Sequence, residues 1–114
     1  MLAVIFEFEP VAERRQDYLD FAADLGPELA AIDGFISIER FESLSQPGKL
    51  LSISFWRDEN AISSWRNLEK HRVAQRASRD GIMSDYRIRV ATVIRDYDMQ
   101  ERSAAPDDSK NFHR

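Results

Sequence analysis

Apolar and polar residues alternate with period two over four stretches of this chain and with a helical period over two, in the order β-α-β-β-α-β. Residues 2–9 place Leu2, Val4, Phe6 and Phe8 on one wholly apolar face and Ala3, Ile5, Glu7 and Glu9 on a mixed one. Pro10 stops that strand. From about Val11, the residues Tyr18, Phe21, Ala22, Leu25 and Leu29 recur along one side of a helix. Gly26-Pro27 is expected to break or kink it, with Pro27 opening a final short turn, and Gly34 to cap it in the left-handed region. A second strand, Phe35 to Leu44, has no cleanly apolar face: Ile36, Ile38 and Arg40 oppose Phe35, Ser37, Glu39 and Phe41. Gln46-Pro47-Gly48-Lys49 predicts a type II turn, since Pro fixes φ at the second position and Gly supplies positive φ at the third.

The stretch 49–76 changes period at its middle. Leu51, Ile53 and Phe55 alternate with Ser52, Ser54 and Trp56, and then Asp58 offers an N-cap to a helix carrying Ala61, Ile62, Trp65, Leu68 and Val73 on its apolar side. Gly81 is placed to cap that helix. The last strand, Asp85 to Tyr97, sets Tyr86, Ile88, Val90, Thr92 and Ile94 against Arg87, Arg89, Ala91, Val93 and Arg95. Tyr86 is expected in the core.

This order of elements is the split βαβ arrangement of α+β, ferredoxin-like folds, in which two helices cover one face of a four-stranded antiparallel sheet. Leu2, Val4, Phe6, Phe8, Leu51, Ile53, Phe55, Ile88 and Val90 are expected on the covered face. The opposite face then gathers Trp56 and Phe41 with Ser52, Ser54, Glu7, Glu39, Arg87 and Arg89. A solvated sheet would not carry that tryptophan, and a buried one would hold those charges only in pairs. Sheet-on-sheet homodimerisation satisfies both. The domain spans 1–97, and the polar tail 98–114 needs a surface, for which the partner subunit, through Phe112, is the candidate.

Composition narrows the function. A chain of 114 residues makes one domain with a real core. A net charge of −4 and a pI near 5.2 argue against nucleic acid as a partner. The absence of cysteine removes disulfides, thiolate metal sites and a cysteine nucleophile. Two histidines without metal-binding spacing argue against a catalytic zinc, so no metal is expected. The apolar opening meets Glu7 too early for a secretory signal, and no run is long enough for a membrane span. The expected location is the cytoplasm.

The run Asp33-Gly34-Phe35-Ile36-Ser37-Ile38-Glu39-Arg40-Phe41-Glu42-Ser43, followed by Pro47-Gly48-Lys49, Ser52-Ile53-Ser54-Phe55-Trp56, Asp58-Glu59, Trp65-Arg66, His71 and Tyr86-Arg87-Ile88-Arg89-Val90-Ala91, resembles the antibiotic biosynthesis monooxygenase domain family. The resemblance covers nearly all of residues 1–97. It implies a dimeric α+β barrel of two ferredoxin-like subunits joined through their sheets. It also implies oxidation of small phenolic or quinone-like substrates by molecular oxygen, without metal or flavin cofactor. In the quinone-forming members a tryptophan on the second helix is preceded four residues earlier by Asn. Trp65 matches, but Ala61 stands at the Asn position. Haem-degrading members carry an Asn on the first strand and an axial His ten residues after the tryptophan. This chain has neither, with Gln75 at the second position, and haem degradation is disfavoured.

The candidate catalytic residues are therefore His71, as a base for a phenolic proton, and Trp65. Phe6, Phe55, Trp65 and Arg72 are the candidate substrate contacts, with Arg72 able to meet an anionic or enolate oxygen. Plainer readings stand beside these: Trp65 as core packing, His71 as a surface residue, Arg72 as a rim cation on its helix. A non-catalytic, small-molecule-binding or stress-associated dimer of the same fold is the alternative to the oxygenase.

Overall fold

The elements run β1 (Leu2–Pro10), α1 (Arg15–Ala30), β2 (Phe35–Glu42), β3 (Leu50–Trp56), α2 (Glu59–Gln75), β4 (Met83–Thr92) and a short α3 (Asp107–Phe112), with a 3-10 turn at Ala12–Arg14 leading into α1. This computed structural model describes the backbone of residues 1–75 and 83–112, and the side chains of residues 1–68 and 86–110. The expected cap Gly81 and the side chain of Phe112 lie outside the described residues. The sheet order is β2-β3-β1-β4, and every neighbouring pair is antiparallel. That is the α+β, ferredoxin-like architecture the period changes predict.

Among the described residues two glycines adopt positive φ, and each for a local reason. Gly48, at φ 90°, sits third in the Gln46–Lys49 turn, closed by the Lys49 N–H donating to the Gln46 carbonyl at 3.1 Å. Gly34, at φ 92°, links α1 to β2 under the start of α2, where a Cβ would lie 2.8 Å from the Ala61 Cβ. The Arg57 N–H donates to the Gly34 carbonyl at 2.7 Å, fixing the same junction. Asp58 caps α2 as expected, its Oδ1 accepting the Ala61 N–H at 3.0 Å.

Helix α1 differs from expectation: it runs through Gly26-Pro27 unbroken to Ala30. Pro27 sits within the last turn, so it removes a single backbone hydrogen bond, and packing of Leu25 and Leu29 holds the helix over it. Strand β4 ends at Thr92, short of the expected Tyr97. Its neighbour β1 runs out there, and the Val93 N–H to the Met1 carbonyl, 3.0 Å, is the last rung.

The larger correction concerns which face of the sheet the helices cover. Registry pairs Leu2 with Trp56, Val4 with Ser54, Phe6 with Ser52 and Phe8 with Leu50. Directly paired residues share a face. The covered face of β3 is therefore Leu50, Ser52, Ser54 and Trp56, all buried, while Leu51, Ile53 and Phe55 lie opposite, at intermediate burial. Trp56, only 1% exposed, packs with Leu29, Ala61 and Ile62 beneath the start of α2. Its ring meets Phe35 edge-on at 5.3 Å. A bulge between Phe35 and Ser37 turns Phe35 to the same face, although alternation alone sets it with Ser37 and Glu39.

Among the described residues the core has two parts. One joins Phe8, Tyr18, Ala22 and Leu50, with Phe8 and Tyr18 rings 4.4 Å apart; the other is built on Trp56 and Leu29. Tyr86 is not in either. It faces the helix side but is 63% exposed, meeting Phe6 edge-on at 5.9 Å. The uncovered face carries Ala3, Ile5, Leu51, Ile53, Phe55 and Phe41, with Glu7 held between Arg89 at 3.4 Å and Lys49 at 3.6 Å.

Beyond β4 the tail is ordered by its own polar contacts. Asp98 Oδ1 accepts the N–H groups of Gln100 and Glu101, and Arg102 donates to the Asp98 and Ser109 carbonyls. The radius of gyration, 16.9 Å, exceeds the roughly 13 Å of a compact domain this size, and Ile94 and Met99 are almost fully exposed.

Candidate functional site

Between the two helices the sheet is left partly open. The gap is a cleft with Val4 and Phe6 on its floor, Phe21 and Leu25 of α1 on one side and Trp65 of α2 on the other. It encloses about 90 Å³ before it opens to solvent, room for one small ring with an arm reaching outward. The half-buried Trp65 lies over Trp56, ring centres 6.4 Å apart and planes inclined by 31°. Core packing and pocket wall are thus one position: one part of the indole seats on the core and the rest borders the cleft.

Polar groups enter this apolar space at few points. Ser52 and Ser54 are buried on β3 and border the cleft from below. Ser54 Oγ accepts the Trp56 Nε1–H at 2.8 Å. The Ser52 hydroxyl, by contrast, makes no hydrogen bond to a described residue. Arg40, paired in register with Ser52, stands at the exposed rim. These three were missed in the sequence because alternation put the serines on the uncovered face and left Arg40 on an undecided strand.

The predicted site residues divide accordingly. Phe6 and Trp65 both line the cleft. Phe55 does not: paired with Ala3 and Ser37, it belongs to the other face of the sheet, one residue out of phase with the cleft floor. His71 and Arg72 lie on the described backbone of α2, but their side chains are outside the described residues. Ala61, at the position where the resemblance to the quinone-forming members sets an Asn, is 2% exposed and packed into the core against the Gly34 turn. No cluster of three metal-ligating side chains occurs among the described residues.

The start of α2 is pinned electrostatically. Arg57 donates to both carboxylate oxygens of Asp33, each at 3.1 Å, and its Nε donates to Asp58 at 3.1 Å. The Arg57 guanidinium holds the Asp33 carboxyl below its usual range. The Ala61 N–H, and then Arg57, do the same for Asp58. These contacts fix the helix that carries Trp65.

The family model of antibiotic biosynthesis monooxygenases matches residues 1–77 of this chain. The chain belongs to the antibiotic biosynthesis monooxygenase family. It is 50% identical over 93 residues to a jasmonate monooxygenase of Pyricularia oryzae, a match covering 82% of this chain. The same match spans only 43% of that relative's length. Among solved structures, a putative antibiotic biosynthesis monooxygenase from Deinococcus radiodurans superposes with a TM-score of 0.71, at 19% identity, over 86% of this chain and 97% of that one. SnoaB, a cofactor-independent oxygenase from Streptomyces nogalater, gives 0.63 at 16% identity over 81% and 91%. At such identities these structures bear on the fold alone. No helix among the described residues is long and apolar enough to cross a membrane.

Proposed function

We propose that this chain is a monooxygenase that binds a small ring compound in the cleft between its helices and sheet and oxidises it with molecular oxygen, without metal or flavin. The observation that carries the reading is the placement of Trp65 in a chain of this family: its indole borders a mostly apolar cleft floored by Phe6 and Val4 and partly open to solvent. Two substrate classes suit it. Phenolic and quinone-like rings follow from the family, and jasmonate, a cyclopentanone acid, follows from the half-identical relative. Both classes lose a proton to give a phenolate or enolate, the electron-rich form that oxygen attacks. Oxidation of a ring methylene to a carbonyl then closes on oxygen alone: two C–H bonds are lost, one oxygen atom enters the ring and the other leaves as water.

In this reading His71 takes the initial proton, Arg72 meets the developing oxygen anion, and Trp65 and Phe6 hold the ring. The working unit is a cytoplasmic homodimer joined through the uncovered faces of the sheets. Apolar Ile5, Leu51, Ile53 and Phe55 beside the Glu7–Arg89 pair support that assembly. Within it, residues 1–97 form the catalytic domain and the tail 98–114 lies on the partner.

The test is oxygen uptake by the purified protein with a panel of phenols, anthrones and jasmonic acid, with and without chelator. Turnover unaffected by chelator, with one atom of ¹⁸O₂ appearing in the product, is the expected result. A second reading has its own observation. Ala61 lies in the core where the quinone-forming members it resembles use Asn, which favours a binding protein without chemistry. Saturable binding with no oxygen uptake would establish that instead.

A further inference from the structure

Arg40 is a cation placed at the rim of an apolar cleft, with no partner among the described residues to neutralise it. Strand β2 forms the edge of the sheet, and on its helix-facing side only Ile38 and Arg40 reach the cleft. The Arg40 guanidinium makes no ion pair or hydrogen bond with a described residue. Other arginines nearby differ: Arg15 holds Glu42 at 3.2 Å, Arg57 holds Asp33 and Asp58, and Arg89 holds Glu7. The carboxylate on the same side two residues away, Glu42, is already engaged, by Arg15 and by the Gly48 N–H at 3.4 Å. Ser52, a buried residue directly across the strand pair from Arg40, adds a hydroxyl that borders the same space and makes no hydrogen bond to a described residue. Paired residues in adjacent strands have Cβ atoms about 5 Å apart, so one carboxylate can reach both donors.

We propose that Arg40, with Ser52 as second donor, is the specificity determinant of the cleft and selects apolar ring compounds bearing a carboxylate arm over their neutral analogues. This deepens the reading of the cleft as the substrate site and rests on it. The ring lies against Phe6, Val4 and Trp65, and the arm runs outward to the rim. The enclosed volume of about 90 Å³ suits that division, since it holds a ring and leaves a charged arm in the wetter mouth. A guanidinium suits the task because its planar fork can donate two parallel hydrogen bonds to one carboxylate. A bare phenol has no group to use it.

The experiment measures binding and turnover separately, on the full chain. Jasmonic acid and methyl jasmonate are titrated calorimetrically into the wild type, Arg40→Gln, Arg40→Lys and Ser52→Ala. One charge-assisted contact at a partly solvated rim corresponds to about tenfold in affinity. The wild type is expected to bind the acid about tenfold more tightly than the ester, with the gap narrowing as salt rises. Arg40→Gln should bring the two ligands within about twofold by weakening the acid far more than the ester, Arg40→Lys should keep part of the gap, and Ser52→Ala should trim it. Equal binding of acid and ester by the wild type, a preference surviving in Arg40→Gln, or binding of neither ligand would overturn the proposal. Oxygen uptake separates it from the reading it rests on. Acid-selective binding without turnover removes the oxygenase and leaves Arg40 in its role; turnover of neutral phenols with no preference for acids does the reverse.

Discussion

The indole N–H of Trp56 donates to Ser54 Oγ at 2.8 Å on the helix-covered side of β3, so a fully buried aromatic of the sheet and a cleft-lining serine are joined. Trp56 is thus a core residue that also orients the cleft floor. Replacing it with Ala is expected to cost about 3–5 kcal/mol in chemical denaturation, and with Phe less, mostly through the hydrogen bond lost to Ser54. Should Trp56→Ala unfold at the wild-type denaturant concentration, the assignment of this face is wrong.

Gly34 is expected to tolerate no side chain. An alanine there meets both a positive φ of 92° and the Ala61 Cβ at 2.8 Å. The combined penalty, about 2–3 kcal/mol, should appear as a lowered denaturation midpoint with an unchanged slope. Gly48→Ala has open space around its Cβ and carries the φ penalty alone, so it should cost clearly less.

Assembly is tested at Ile53, which sits centrally on the uncovered face between Ile5 and Glu39. Sedimentation equilibrium of the wild type should give twice the 13.2 kDa chain mass. Ile53→Asp should shift that toward the monomer while far-ultraviolet circular dichroism stays native, because the residue supports no core of its own chain. A wild type that remains monomeric at high concentration removes the dimer.

Acid should loosen the start of α2. Asp33 and Asp58 are both held below the ordinary aspartate value of 3.8, Asp33 by Arg57 and Asp58 chiefly by the Ala61 N–H. A carboxyl with a depressed folded-state pKa contributes stability above its unfolded value, and that contribution is lost as pH falls through the folded one. The melting temperature should therefore be flat above about pH 5 and fall below about pH 4. Arg57→Gln should flatten that fall, since it removes the main cause for Asp33 and the second cause for Asp58. An unchanged profile in the variant would show that the pins carry no stability.

For the chemistry, His71→Gln is expected to lower turnover by about 10²-fold or more with little change in binding. Wild-type turnover should rise with pH as imidazole, about 6.5 when unperturbed, loses its proton. Trp65→Phe should weaken binding and turnover together, since the indole borders the cleft and seats on Trp56. Full activity in both variants on a substrate the wild type oxidises would remove the proposed site.

The local devices were legible in the sequence because each is decided within a few residues. Pro47-Gly48 specifies its turn by φ alone, Asp58 caps α2 through the backbone three residues on, and the two periods fix the order of strands and helices. What tertiary structure decided was the phase of those elements. Alternation along β3 says that Leu51, Ile53 and Phe55 share a face but not which face meets the helices; with both faces carrying aromatics, the more uniformly apolar one is the natural choice. Pairing with β1 reverses it, because Trp56 must seat between Leu29 and Ile62 where β3 hands over to α2. A shift of one residue exchanges every side chain between the faces. It moved Phe55 out of the cleft, brought Ser52 and Ser54 into it, and a bulge at Phe35 completed the change on β2. Period is a property of neighbours in the chain, whereas phase is set by residues some fifty positions apart, such as Leu2 and Trp56, and only the folded sheet brings those together.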